Sequence, residues 1–336
     1  MKLDAALPST GLADVPVIAA AAEEMGFDCL WTTETQHDPF LPHALIAGHT
    51  SRIRMGTGIA VSFARSPATL AYTAWDLAAQ SNGRFILGLG TQVKAHVERR
   101  FGMEWPASVT GKLREQIQVM RALWKTWQTG APLNQRGEYY KITLMAPFFN
   151  PGPLSDVSEA GIPVYIAGVN TGLAKLAGEL CDGFLVHPFH TPEYLCEVLL
   201  PAIRAGTRAA GRNVDDVVVS ASVFAATSEQ EREYCRQQIS FYASTPSYRP
   251  VMALHGWADV AEKLSGLAAR GQWGDMPDLI NDKILTTFVA EADTPSALAE
   301  TLKGRYRSLA DRLTLYLPFM PGERDSWWRD LVTRFA

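Results

Sequence analysis

Apolar positions along the chain follow two alternating rhythms. Short runs rich in β-branched and aromatic residues read as strands: Leu3–Leu7, Phe27–Thr33, Ile53–Ser62, Phe85–Leu89, Val164–Ala167, Gly183–His187, Val217–Ala226 and Leu313–Phe319. Longer stretches with apolar residues three and four apart fall between them and read as helices. These are Leu12–Met25, Pro67–Gln80, a stretch ending near Trp127, Gly172–Leu180, Glu193–Ala210, Glu229–Tyr242 and Trp327–Phe335. Strands that are apolar on both faces belong in a parallel sheet covered by helices. Eight such units predict an α/β fold of the closed (β/α)8 TIM-barrel type, with an open doubly wound sheet as the alternative.

Two stretches break the rhythm. Residues 129–161 are rich in Gly and Pro and contain Gly137–Ile142 (GEYYKI), which reads as a small hairpin. Residues 244–301 read as a long, mostly helical excursion. The expectation is one barrel domain over residues 1–336, with both insertions projecting over the C-terminal face as lids or substrate walls.

Composition narrows the setting. The 336 residues are 47% hydrophobic and 20% charged, with a net charge of −4. That is the balance of a globular protein with a large core. No Lys/Arg block points to nucleic acid, and no apolar run has the roughly 18 residues of a membrane span. Cys29, Cys181, Cys196 and Cys235 are scattered, without a CxxC pair. A reducing, cytoplasmic setting is expected, with neither a disulfide framework nor a structural zinc.

On a parallel barrel, chemistry gathers just past the C-terminal strand ends. After the second strand come Glu34 and His37, candidates for acid–base work, with Asp38 and Pro39 suited to start a helix. Thr57, Gly58, Ile59 and Ala60 lie in the third strand, where small residues let a flat ligand approach the backbone. Gly90, Thr91, Gln92 and His96 follow the fourth strand as a polar lining. After the fifth, Gly168, Val169, Asn170 and Thr171 run into a helix whose first N–H groups offer an anion cradle. Each group also has a plain structural reading as a cap, a bulge or a solvated turn. Tyr242, Tyr248 and Arg249 are candidates for a substrate wall. Glu34, His37, His96 and His187 are the set a barrel metallohydrolase would draw on, but neither a first-strand HxH pair nor an HExxH motif is present.

Four segments together resemble the luciferase-like monooxygenase superfamily of flavin and deazaflavin enzymes: FDCLWTTETQHDPF (27–40), GTGIAVSFARSP (56–67), GRFILGLGTQVKAHVERRFG (83–102) and PVYIAGVNTGLAKLAGELCDGF (163–184). The sequence is most similar to the branch that depends on coenzyme F420. The resemblance implies an oxidoreductase moving a hydride between F420 and a small organic substrate, with an FMN-dependent monooxygenase as the alternative. It implies an acid–base pair at Glu34 and His37, with His37 the first choice for the proton. It also implies a non-prolyl cis peptide near Gly58–Ile59, ring contacts at Thr91 and Gln92, and a phosphate cradle at residues 168–171. Barrels of this kind frequently form homodimers. Where the sugar-phosphate dehydrogenase members carry a catalytic glutamate, the matching position is Val93.

Overall fold

A computed structural model describes residues 1–157 and 161–335. Residues 158–160, inside the expected excursion at 129–161, and Ala336 lie outside the described residues.

Eight parallel strands close on themselves, as expected: β1 (Lys2–Ala6), β2 (Cys29–Thr32), β3 (Arg54–Thr57, resuming at Ala60–Val61), β4 (Phe85–Gly90), β5 (Val164–Gly168), β6 (Gly183–Val186), β7 (Val218–Val223) and β8 (Arg312–Leu315). β1 pairs with both β2 and β8, which seals the barrel. The expected third strand, Ile53–Ser62, is broken in the middle. Arg54–Thr57 pairs with β2 and β4, the Gly58–Ile59 peptide is cis, and Ala60–Val61 pairs onward with Leu89 and Gly90.

Helices return between strands with ordinary punctuation. α1 (Val15–Met25) ends at Gly26, whose φ of 95° is left-handed. α2 (Leu41–His49) starts two residues later than Asp38–Pro39 suggested. Asp38 nevertheless accepts from the N–H groups of Phe40 and Leu41 (2.8 and 3.2 Å). α3 (Pro67–Gln80) begins at a Ser66 cap. α4 (Val109–Thr129), α5 (Thr171–Leu180), α6 (Leu200–Ala209) and α7 (Glu229–Ala243) follow in turn. The expected helix 193–210 opens with a turn at Pro192–Tyr194 and passes through a π-helical turn, Leu195–Leu199, before α6. In the first excursion Gln135–Arg136 pairs antiparallel with Lys141–Ile142, the expected hairpin. The second contains the helices Arg249–Leu254, Ala258–Ala269 and Asp282–Phe288 and leads into Pro295–Tyr306.

Alternation along each strand divides the barrel's inside from its helix-facing outside. The inward rows are large and polar below. Arg312 donates twice to Asp4 (2.8 and 2.6 Å), and the Trp31 indole N–H donates to the same carboxylate (2.9 Å). Burial pushes the Asp4 carboxyl above its ordinary pKa despite Arg312. Cys29, Trp31, Ile86 and Tyr165 fill the rest of this floor. Gly56 is required there, because a Cβ would lie 2.5 Å from the Trp31 ring. Two residues further along, the rows of β1, β3, β4 and β5 carry only Ala6, Gly58, Gly88 and Ala167, while the β6 row ends in His187. Bulk below and small residues above make a shelf at the C-terminal mouth.

Candidate active site

The four segments singled out in the sequence follow β2, β3, β4 and β5, which are consecutive neighbours around the barrel. They share one arc of the rim and touch across it. Arg100 donates to the Thr35 carbonyl (2.5 Å), joining the loops after β4 and β2. Gly172, at the start of α5, faces the Thr110 methyl at the start of α4.

The Glu34 carboxylate is buried and held through one of its oxygens. Its Oε2 accepts from the Val61 N–H (2.6 Å) and from Arg65 (2.7 Å), while Arg65 also reaches Asp38 (3.0 Å). The Glu34 N–H donates to the Ile59 carbonyl (3.2 Å) and the Gly58 N–H to that of Thr32 (2.6 Å). These contacts fasten both sides of the cis peptide to the β2 loop. Glu34, a candidate for acid–base work, is thus ion-paired through Oε2, with no partner for Oε1 among the described residues. His37, three residues on, is exposed, and its side chain makes no hydrogen bond among the described residues.

The Thr57 hydroxyl is fully buried and bonded to Gly88, so only the backbone of this residue is left for a ligand. Ala60 is likewise buried, whereas Gly58 and Ile59 are partly open. Gly90 is small because a Cβ there would meet the Ile59 side chain at 2.6 Å. Gln92 adopts a left-handed φ of 58°, turning the chain after Thr91 into the short helix Lys94–Arg99. His96 sits exposed on that helix.

At β5, Gly168 and Val169 are buried and Asn170 occupies the cap position of α5. Its side chain does not cap. Asn170 Nδ2 instead donates to the Ser247 carbonyl (2.9 Å) in the second excursion. The first N–H groups of α5 therefore have no side-chain acceptor among the described residues, and Thr171 and Gly172 are exposed beside them.

The proposed substrate wall is divided. Tyr242 and Tyr248 stand 4.8 and 4.9 Å, centroid to centroid, from the His187 ring at the end of β6. Tyr242 OH pairs with Tyr316 OH (2.8 Å) just past β8. Arg249 is exposed and makes no side-chain hydrogen bond among the described residues. The candidate metallohydrolase set does not assemble. Among the described residues no group of three or more His, Cys, Asp or Glu side chains has metal-binding proximity, and His187 lies among tyrosines.

Residues 2–312 match the model of the luciferase-like monooxygenase family. The chain belongs to that family. An uncharacterised protein of Mycobacterium tuberculosis is 42% identical over 324 residues, covering 93% of this chain and 92% of that one. An F420-dependent glucose-6-phosphate dehydrogenase of Amycolatopsis mediterranei is 32% identical over 224 residues, 62% of this chain and 63% of its own. In fold, the luciferase-like barrel described here resembles the coenzyme F420-dependent tetrahydromethanopterin reductase of Methanopyrus kandleri. The TM-score is 0.78 at 20% identity, over 99% of this chain and 97% of that one. The same fold places Arg65, the partner of Glu34, and Tyr316 at the rim, neither singled out in the sequence, and His187, which the sequence offered only as part of a metal-binding set. For His187 a signal existed, since it continues the inward row of Gly183 and Leu185.

Proposed function

We propose that this chain is an oxidoreductase that binds coenzyme F420 across the mouth and exchanges a hydride with a small organic substrate held beneath the second excursion, the whole acting as one barrel unit. The observation that carries the reading is the pairing of a shelf of small side chains with an uncapped helix start on the same rim. A planar tricycle fits the shelf over Gly58, Ile59, Gly90 and Ala167, bordered by Thr91 and Gln92. Its phosphate fits the N–H groups at Asn170, Thr171 and Gly172. When bound, the deazaflavin supplies the hydride chemistry, and the protein supplies orientation and proton handling. Glu34 and Arg65 hold the strand that backs the ring. His37 is uncommitted and carries the proton. Val93, where a glutamate serves the sugar-phosphate enzymes, points away from that substrate class.

Titration of the purified protein with F420 and with FMN, side by side, tests the proposal. Saturable binding of F420 with a shifted visible spectrum is expected. Preferential FMN binding, with oxygen consumption on reduction, would make it an FMN-dependent monooxygenase instead.

A further inference from the structure

The corner after β6 holds a histidine whose hydrogen-bonding role is fixed before any ligand arrives. His187 continues the inward row of Gly183, whose Cβ would meet the Tyr165 ring, and Leu185, which packs on the floor. Its Nδ1 accepts from the Phe189 N–H (3.1 Å), so the ring proton resides on Nε2. The corner is tied from several sides. His190 Nδ1 pairs with the His187 carbonyl (2.8 Å), the His190 N–H donates to the Pro188 carbonyl (2.9 Å), and Thr191 Oγ1 pairs with His255 Nε2 (2.9 Å). The Nε2–H has no acceptor among the described residues, yet it is not one of the sealed polar atoms, so it opens to accessible space.

The surroundings are aromatic and uncharged. Tyr242 and Tyr248 flank the ring, and the Tyr242 hydroxyl is occupied by Tyr316, which reaches on to Gln238 (3.3 Å). Burial, with His190 adding to it, holds the His187 imidazole down at about 3, so it stays neutral under ordinary conditions. Burial dominates at His187, Tyr242 and Tyr248, with one histidine and other tyrosines adding to it, and the nearest free charge along the chain, Arg249, is exposed. Placing an ion here would forfeit its hydration without a counter-charge.

From this geometry we infer that His187 Nε2–H donates to the oxygen of an uncharged substrate, a ketone, aldehyde or alcohol, held at the rim beside the packed rings of Tyr242 and Tyr248. This rests on the oxidoreductase reading and narrows its substrate class. A neutral, preoriented donor favours an oxygen that gains negative charge in the reaction without itself giving up a proton. The proton then comes from elsewhere.

The test uses the full-length protein, with and without F420, labelled with ¹⁵N-histidine, and cyclohexanone as the probe against methylcyclohexane. The expected His187 signals are those of an Nε2-protonated ring unchanged between about pH 5 and 8, with Nε2 moved by cyclohexanone and not by methylcyclohexane. His187→Leu is expected to weaken cyclohexanone binding by about fivefold to tenfold, the worth of one neutral hydrogen bond, while His187→Gln, which keeps an N–H there, retains it. An Nδ1-protonated ring, an Nε2 signal indifferent to cyclohexanone, or equal losses in the two variants would overturn the inference. Failure of F420 to bind, with the ketone response intact, would remove the cofactor reading and leave His187 as a carbonyl-binding residue.

Discussion

Thr57 and Gly88 face each other across β3 and β4, joined by a single hydroxyl that serves both of the glycine's backbone groups. Thr57 Oγ1 donates to the Gly88 carbonyl (2.6 Å) and accepts from the Gly88 N–H (2.9 Å). The broken third strand offers no ladder partner at this point, and the side chain takes its place. Thr57→Val should leave two buried groups unpaired and cost about 2–4 kcal/mol, read as a lowered urea midpoint. Gly88→Ala should be worse, since its Cβ would run into the Thr57 carbonyl. An unchanged midpoint for Thr57→Val would show the hydroxyl to be dispensable.

Glu34→Gln keeps the shape of the clamp and removes its charge. The pair with Arg65 is mostly buried, but Asp38 remains as a second anion for the guanidinium. The expected loss is about 1–3 kcal/mol, less than for an isolated buried pair. F420 affinity should fall with it, because the ion pair that braces the backing strand is reduced to neutral hydrogen bonds. Retained affinity with lowered turnover would instead restore Glu34 as a proton carrier.

His37→Ala separates chemistry from binding. Turnover should drop by about 10²-fold or more, the usual share of a positioned acid–base group, with F420 affinity nearly unchanged. Unaltered turnover would exclude His37 from the proton step.

Gly172→Asp should affect stability and cofactor binding in opposite directions. The position is open, with only the Thr110 methyl nearby at 3.6 Å. A carboxylate in the first turn of α5 should stabilise the helix by about 0.3–1 kcal/mol. The same charge should repel a phosphate and weaken F420 binding by about tenfold or more. Unweakened binding would place the phosphate elsewhere.

Acid stability should depend on Glu23. Its carboxylate accepts from the N–H groups of Arg52 (2.6 Å), Ile53 (2.8 Å) and Ser51 (3.0 Å), tying α1 to the turn before β3. Burial opposes the charge, but these donors outweigh it and hold the carboxyl below its ordinary 4.5. A depressed carboxyl contributes stability above its unfolded pKa and loses it as pH falls through the lower folded value. Glu23→Gln should therefore be less stable at neutral pH and closer to the parent below about pH 4.5, in denaturation midpoints taken across that range. A constant gap would rule this linkage out.

Much of the scaffold was legible because strand and helix impose different spacings on apolar residues. All eight strands, the hairpin near Gly137 and the helix-starting turn around Asp38 follow from local chemistry. What was hidden involves partners distant in sequence. Nothing near Glu34 announces Arg65, 31 residues on, and nothing at Thr57 announces Gly88. Both residues carry the polar chemistry of a ligand contact, and both are occupied by the backbone irregularity at Gly58–Ile59. His187 was legible only as a possible metal ligand, although alternation along its strand already pointed it inward.

Trp31, Tyr165 and the Asp4–Arg312 pair plug the barrel from beneath, so the basin behaves as a cup and not as a tunnel. On the proposed reading, substrate and product would then share the one open end, on the side of Tyr242 and Tyr248. Traffic through it is then sequential, and variation in the second excursion can retune what is admitted without disturbing the plug.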